Sequence, residues 1–374
     1  MSAGEEFTGR KEMPLTHQGL IMQRISTSNI VLQCNTQEKQ KMDKETWEQL
    51  EIGEDIGYGS FGQVYLASLN GKKYALKRIR VPDSREKHES HIYKMGDPEK
   101  AGEYCPEKIL TLLEEVWILK KFRKHPNIVS VLDYRLQENA EGFELEILME
   151  YLEPFTLYET THAMSEKEVV SLGIDMCRAL EVCEEEGILH RDIKIENILV
   201  AEDGTFKLCD FGSARILEEA FIENSVEGSF PFMAPEVYNG KKYDHRADIY
   251  SLGLILYRCL NHGREPFISI DKRMIGYKDR EDAVNRRMNG EPLPAPADAS
   301  EKLSKIILKA CAYDPEERYR YAEDLRRDLA RYLNVSKKKK KIEVRPPGWK
   351  GYQPAAVLVS LGILLLIEYR IMRK

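Results

Sequence analysis

Three glycines, Gly57, Gly59 and Gly62, stand at a spacing that lets a backbone come close to phosphate groups. The residues immediately after them decide the fold. A dinucleotide-binding unit would open a helix directly after such a loop. Here Val64-Tyr65-Leu66-Ala67 reads as a strand, Asn70-Gly71 as a hairpin turn, and Tyr74-Ala75-Leu76-Lys77-Arg78-Ile79 as a second strand. The glycines are therefore expected in a flap between two strands, folded over phosphates or serving only the geometry of a tight hairpin.

Lys77 lies inside that second strand among apolar neighbours. A buried lysine is costly without a partner, and its natural partners are a nucleotide phosphate and a carboxylate. A solvent-facing place on an edge is the competing reading. The carboxylate is sought on the next helix. Lys108 to Arg123 carries Ile109, Leu112, Leu113, Val116 and Leu119 on one side, so Glu115 can point at the sheet while its apolar neighbours pack. Glu114 is the alternative.

Further on, His190-Arg191-Asp192-Ile193-Lys194-Ile195-Glu196-Asn197 forms a short loop between apolar segments. A carboxylate there, Asp192, can orient a hydroxyl and accept its proton. Lys194 can neutralise phosphate charge, and the amide oxygen of Asn197 can bind a metal. Asp210-Phe211-Gly212 comes thirteen residues after Asn197, with Phe206-Lys207-Leu208 as a strand between them. A carboxylate at a strand end, beside a glycine, is placed to hold magnesium.

The texture of the chain divides it. Residues 1–46 are polar and read as a mobile leader; 47–150 are strand-rich; 151–335 are mainly helical, with signals at 165–186, 245–261 and 300–333. Strands are also expected at 128–132 and 145–149, and the charged span 82–106, with three prolines, as an irregular insertion. This is an α+β, two-lobed pattern. The net charge of −6 disfavours nucleic acid as a partner, and seven scattered cysteines without a C-x-x-C pair read as reduced thiols.

In order, the glycine loop, the strand lysine, the helix glutamate, the His-Arg-Asp loop, Asp-Phe-Gly and Ala234-Pro235-Glu236 make up the protein-kinase signature set. Over about residues 48–335 the chain resembles the eukaryotic-like, Hanks-type protein serine/threonine kinases, bacterial members in particular. The resemblance implies ATP and Mg2+ as cofactors and serine or threonine side chains of proteins as acceptors. It implies Asp192, Lys194 and Lys77 as catalytic residues, and Asn197 and Asp210 as metal ligands. Nucleotide contacts are implied at Ile56, Gly57, Gly59, Gly62, Val64, Ala75, Lys77, Glu115, Met149, Glu150 and Leu152, with Met149 as gatekeeper and Glu150-Tyr151-Leu152 as adenine hinge. Glu236 and Arg318 match a buried ion pair, and Asp248 a brace of the catalytic loop. Ser229 matches a threonine that bridges Asp192 and Lys194. Ser225 is the expected phosphate acceptor of a regulatory loop that Arg191 would dock, and autophosphorylation in trans would use a homodimer.

The tail changes character again. Lys337 to Lys341 is a run of five lysines, residues 336–353 form a basic, proline-containing linker, and 354–370 is an expected transmembrane segment. Its charge-free stretch, 355–367, covers only about 20 Å as a helix, short of a hydrocarbon core of about 30 Å. Tyr352 and Tyr369 at the interfaces, and snorkelling Lys350 and Arg370, extend it. Basic residues outnumber on the N-terminal side, so a single pass through the cell membrane would leave the kinase in the cytoplasm. Seven residues come after the apolar stretch, so no external sensor domain is expected. Packing of this segment on the larger lobe, or in a dimer, is the alternative.

Overall fold

The computed structural model describes residues 42–59, 62–81, 109, 112–139, 142–161, 164–216 and 231–343, with side chains to 334. A short helix α1 (Lys44–Glu48), capped by the Asp43 carboxylate on the N–H of Thr46, leads into the first strand. Strands β1 (Glu51–Gly59), β2 (Gly62–Leu69) and β3 (Lys72–Val81) precede helix α2 over 112–121, after which come β4 (Val131–Asn139) and β5 (Gly142–Glu150). They form one antiparallel sheet in the order β1-β2-β3-β5-β4. The β2–β3 hairpin turns on Asn70 and Gly71, with φ of 53° and 75°. Positive φ at both turn positions matches the twist of the flanking strands, which is why Asn-Gly is found there.

Register sorts the side chains of this sheet into two faces. Leu76 of β3 lies opposite Leu148 of β5, which lies opposite Asp133 of β4. The rows on either side, Ala75–Met149–Val131 and Lys77–Ile147–Tyr134, point the other way. One face therefore carries Lys77. The other is closed by Trp47 and Leu50, which pack with Ala67, Leu76 and Leu148 as a separate small core.

The second lobe is built from β6 (Glu153–Pro154), α3 (Phe155–Thr161), α4 (Glu166–Glu185), β7 (Ile188–Leu189), β8 (Ile198–Val200), β9 (Phe206–Leu208), β10 (Arg215–Ile216), α5 (Pro235–Tyr238), α6 (Arg246–Cys259), α7 (Tyr277–Met288), α8 (Glu301–Ala310) and α9 (Ala322–Glu343). A capping box of Ser165 and Glu168 starts α4, and α9 packs along it. Helix α6 is buried on nearly every face, and its close approach to α8 depends on Gly253. A Cβ there would stand 2.6 Å from Cys311 Sγ and 3.0 Å from Ala310 Cβ.

The architecture is the two-lobed α+β arrangement expected from the sequence, with local differences. The helical reading over 300–333 divides into α8 and α9. Pro315 supplies no N–H and restricts Asp314 to extended backbone, so a 3-10 turn (Pro315–Glu317) stands between them. The strand expected from 128 begins at 131, and Ile128 instead makes an isolated parallel bridge with Leu208. The expected edge of the leader at 46/47 falls inside α1. Residues 60–61, the insertion 82–106, Ser225, Ser229 and the apolar segment 355–367 lie outside the described residues. Among the described residues no helix is long and apolar enough to cross a membrane.

Candidate active site

The cleft between the lobes is organised around Lys77. Its strand position beside Ala75 and opposite Ile147 turns the side chain inward, and it is 4% exposed. Its ammonium donates to Glu115 Oε1 at 2.6 Å and to Asp210 Oδ1 at 2.9 Å. The pairing with Glu115 arises from α2, where Leu112, Val116 and Leu119 are buried and leave Glu115 facing the sheet. Burial alone would lower the lysine pKa, but the two carboxylates raise it. Glu115 is pushed up, first by burial and then by Asp210, against the pull of Lys77. One ammonium is shared between the two carboxylates, so the group carries a surplus negative charge. Glu115 Oε2 is buried without a hydrogen-bond partner among the described residues.

Below the sheet, residues 190–197 and 209–212 are stitched together. Cys209 N–H donates to the Asn197 carbonyl at 2.9 Å, and His190 Nε2 stands 3.1 Å from the Cys209 carbonyl. The Phe211 ring packs edge-on to His190 at 4.7 Å and beside Phe122 at the end of α2 at 6.1 Å. Two bends carry non-glycine residues in left-handed backbone, Arg191 at φ 68° and Asp210 at φ 59°. Such conformations cost free energy and persist only where surroundings enforce them. At Arg191 the enforcing group is Asp248 of α6, 4% exposed, which accepts the N–H groups of His190 and Arg191 at 2.8 and 3.0 Å.

Asp192, Lys194 and Asn197 converge as the spacing suggests. Lys194 Nζ donates to Asp192 Oδ2 at 2.5 Å. Asn197 Nδ2 donates to the Asp192 carbonyl at 2.8 Å and to its Oδ2 at 3.1 Å. Because the amide nitrogen is used here, the oxygen is the end of Asn197 left for a cation. A carboxylate from Asp210 and an amide oxygen from Asn197 are the hard donors that Mg2+ takes, usually with substrate phosphates completing its shell. A divalent cation there would also offset the surplus negative charge beside Lys77. The residues present fit that ion.

The same face of the sheet supplies an apolar wall. Val64 lies opposite Lys77 on β2, and Ala75 lies opposite Met149 on β5; all are half-buried except Lys77. Ile56 in β1 is 36% exposed. A Cβ on Gly57 would meet nothing within 4 Å, whereas one on Gly62 would stand 2.3 Å from the Arg78 carbonyl. So Gly62 serves the approach of β2 to β3, and Gly57 leaves open space. At the hinge, Met149, Glu150 and Leu152 are half-buried. Glu150 accepts both bonds from Lys207 Nζ, at 2.8 and 2.9 Å, and the N–H of Ser130 at 2.8 Å. Lys207 was visible in sequence only as the middle of a short strand. Leu199 is its partner across β8 and β9.

Away from the cleft, Arg318 closes on Glu236 with paired bonds of 2.6 and 2.7 Å, both residues buried. No cluster of three or more His, Cys, Asp or Glu side chains suited to a metal occurs among the described residues.

A model of the protein kinase domain family matches residues 50–329. The chain is 31% identical to the serine/threonine-protein kinase PknB of Mycolicibacterium smegmatis over 293 residues, 75% of this chain and 42% of that one. Against PknB of Mycobacterium tuberculosis it is 31% identical over 296 residues, 76% and 43% of the two chains. A probable serine/threonine-protein kinase of Clostridium perfringens is 34% identical over 227 residues, 57% of this chain and 32% of that one. The chain thus spans less than half the length of these relatives.

Proposed function

Because the chain belongs to the protein kinase domain family, we propose that it transfers the γ-phosphate of ATP to serine or threonine hydroxyls of proteins, itself included, with Mg2+. The observation that carries this reading is the bonding of Lys77 to both Glu115 and Asp210, with the residue before Asp210 hydrogen-bonded to Asn197 of the Asp192–Asn197 loop. Magnesium, when bound, would neutralise phosphate charge and align the transferring group. Asp210 and Asn197 would hold it. Lys77 would clamp phosphate oxygens while Glu115 keeps its ammonium in place. The Asp192 carboxylate would take the proton of the acceptor hydroxyl, with Lys194 beside it stabilising charge on the phosphoryl oxygens. Val64, Ala75 and Met149 would seat the adenine at the hinge of Glu150 and Leu152. The relatives matched are named serine/threonine-protein kinases, and Lys194 two residues after Asp192 agrees with that acceptor class.

Radiolabelled phosphate transfer from ATP to a mixed protein substrate tests the reading. Wild type should label serine and threonine, and Asp192→Asn should not. Tight nucleotide binding without transfer by wild type would instead indicate a scaffold.

We propose further that the loop over 213–233 is switched by phosphate on Ser225, docked by Arg191, and that two copies exchange it in trans. Autophosphorylation should then rise more steeply than linearly with enzyme concentration, and mass spectrometry should find phosphate in that span. For the tail we propose a single-pass membrane anchor at 354–370 with the kinase in the cytoplasm. The hydropathy and flanking charge of the sequence support it. The full chain should pellet with membranes and resist carbonate, and a variant ending at Asn334 should be soluble; release by carbonate would defeat the anchor.

A further inference from the structure

The chain ahead of the sheet ends in a residue buried where the sequence gives little reason to expect one. Trp47 is 4% exposed and lies on the face of the sheet opposite the cleft. It covers the row Leu76–Leu148–Asp133, which runs across three strands. The two flanking rows are those of the site. On one side stand Ala75 and Met149, and on the other stands Lys77 with Ile147 and Tyr134. Any shift of Leu76 or Leu148 toward the outer face moves the backbone that aims Lys77 and Met149 inward, since successive residues of a strand share one rigid pleat.

The attachment is polar as well as apolar. Asp133 is 3% exposed and sits at a register irregularity of β4. Its Oδ2 accepts the indole N–H of Trp47 at 3.2 Å and the main-chain N–H of Met42 at 3.1 Å. The guanidinium of Arg135 lies 4.6 Å over the Trp47 ring and is itself paired with Glu146. From the other side, α2 reaches the same strand: Lys120 Nζ lies 4.9 Å over the ring of Tyr134. Burial lowers the Lys120 pKa, and the Asp133 carboxylate opposes that. Adjacent residues of β4, Asp133 and Tyr134, thus meet the segment ahead of β1 and the helix that carries Glu115.

We propose that Trp47 and Asp133 are positioning residues for phosphoryl transfer, with α1 clamping the small-lobe sheet from behind to set the Lys77–Glu115 pair. The proposal rests on the kinase reading. Its reach is limited to nucleotide geometry: neither residue touches the cleft, and neither faces the acceptor side at Asp192.

The test uses the full chain at a temperature well below its unfolding midpoint. Trp47→Ala should lower kcat/KM for ATP by about tenfold or more, as a small misplacement of a phosphate-binding group does. It should weaken Mg–ADP binding in calorimetry, and leave KM for the protein acceptor unchanged. Trp47→Phe, which refills the apolar row, should recover most of the loss. A folded Trp47→Ala with wild-type ATP kinetics and ADP affinity, merely less stable, would overturn the proposal. If that variant does not fold, Asp133→Asn decides. It keeps the volume but removes the charge of the carboxylate that accepts from Trp47 and Met42, and wild-type ATP kinetics in it would equally overturn the idea. Wild type run alongside reports on the kinase reading itself: absence of transfer there sinks that reading, while ADP affinity still tests the clamp.

Discussion

Asp248 holds the main-chain N–H of Arg191 at 3.0 Å and thereby keeps a bulky residue in left-handed backbone one position ahead of Asp192. The carboxylate is buried, and burial pushes its pKa up against the N–H groups and His190, which lower it. Asp248→Ala should leave two buried N–H groups unsatisfied, at about 1–3 kcal/mol for each group. The loop should then relax and Asp192 lose its aim. A fall in kcat of about tenfold or more with KM for ATP little changed is expected. Steady-state kinetics beside thermal unfolding checks both halves.

Removing one carboxylate from the Lys77 group should separate activity from stability. Asp210→Asn relieves the competition of two buried acids for one ammonium, so it should unfold at the same or a higher temperature than wild type. Transfer should nevertheless drop about a hundredfold or more, because a metal ligand is lost. Lys77→Met should lose transfer comparably and also lose stability, by about 3 kcal/mol, since it takes the ammonium away from the buried Glu115 carboxylate. A calorimetric midpoint at or above wild type for Asp210→Asn and below it for Lys77→Met is the decisive result.

Glu184 of α4 accepts the first N–H of α9, from Ala322, at 2.9 Å, and its pKa is pushed up to about 8. Burial is the main cause, and Asp248, Glu181 and Asp324 add to it. The folded protein therefore holds a proton that the unfolded chain releases above about pH 4.5. Stability should fall as pH rises from there to about 8 and level off beyond. Glu184→Gln keeps the acceptor and removes the charge. It should gain about 1–2 kcal/mol at pH 8, a figure reduced for the partial exposure of this group, and nothing at pH 4. Equal pH slopes in the two proteins would contradict this.

Gly253→Ala should cost about 1–3 kcal/mol through overpacking against Cys311 and Ala310, despite the better helix propensity of alanine. Specific activity per folded molecule should stay the same. Gly253→Ala with Cys311→Ala should recover part of the loss, which a double-mutant cycle would measure.

Much of the cleft was legible because its residues are close in sequence or fixed by periodicity. Asp192, Lys194 and Asn197 share one loop, and the spacing of buried residues on α2 points Glu115 inward. What escaped had no local mark. Trp47 is flanked by Lys44, Glu45 and Glu48, so its five-residue helix shows no apolar stripe. Asp133 and the Glu150–Lys207 pair are polar residues whose burial or partnership comes from strand register and from segments far apart in sequence. Helix α7 is mostly charged, with only Ala283, Arg287 and Met288 buried, and too little of it is apolar for a period to appear. The helical signal over 300–333 holds on both sides of Pro315, and the break there comes from the proline restriction, which apolar periodicity does not register.

Cys209 stands immediately before Asp210 and is half-buried. Burial and the neighbouring Asp210 carboxylate raise its pKa well above the usual thiol range, outweighing Lys77. Thiol chemistry runs through the thiolate. Although the residue adjoins Asp210, its thiol is held toward the protonated form. Alkylating reagents and peroxide would find it slow to react, and an electrophile delivered by a nucleotide-like carrier would gain proximity but not a ready nucleophile.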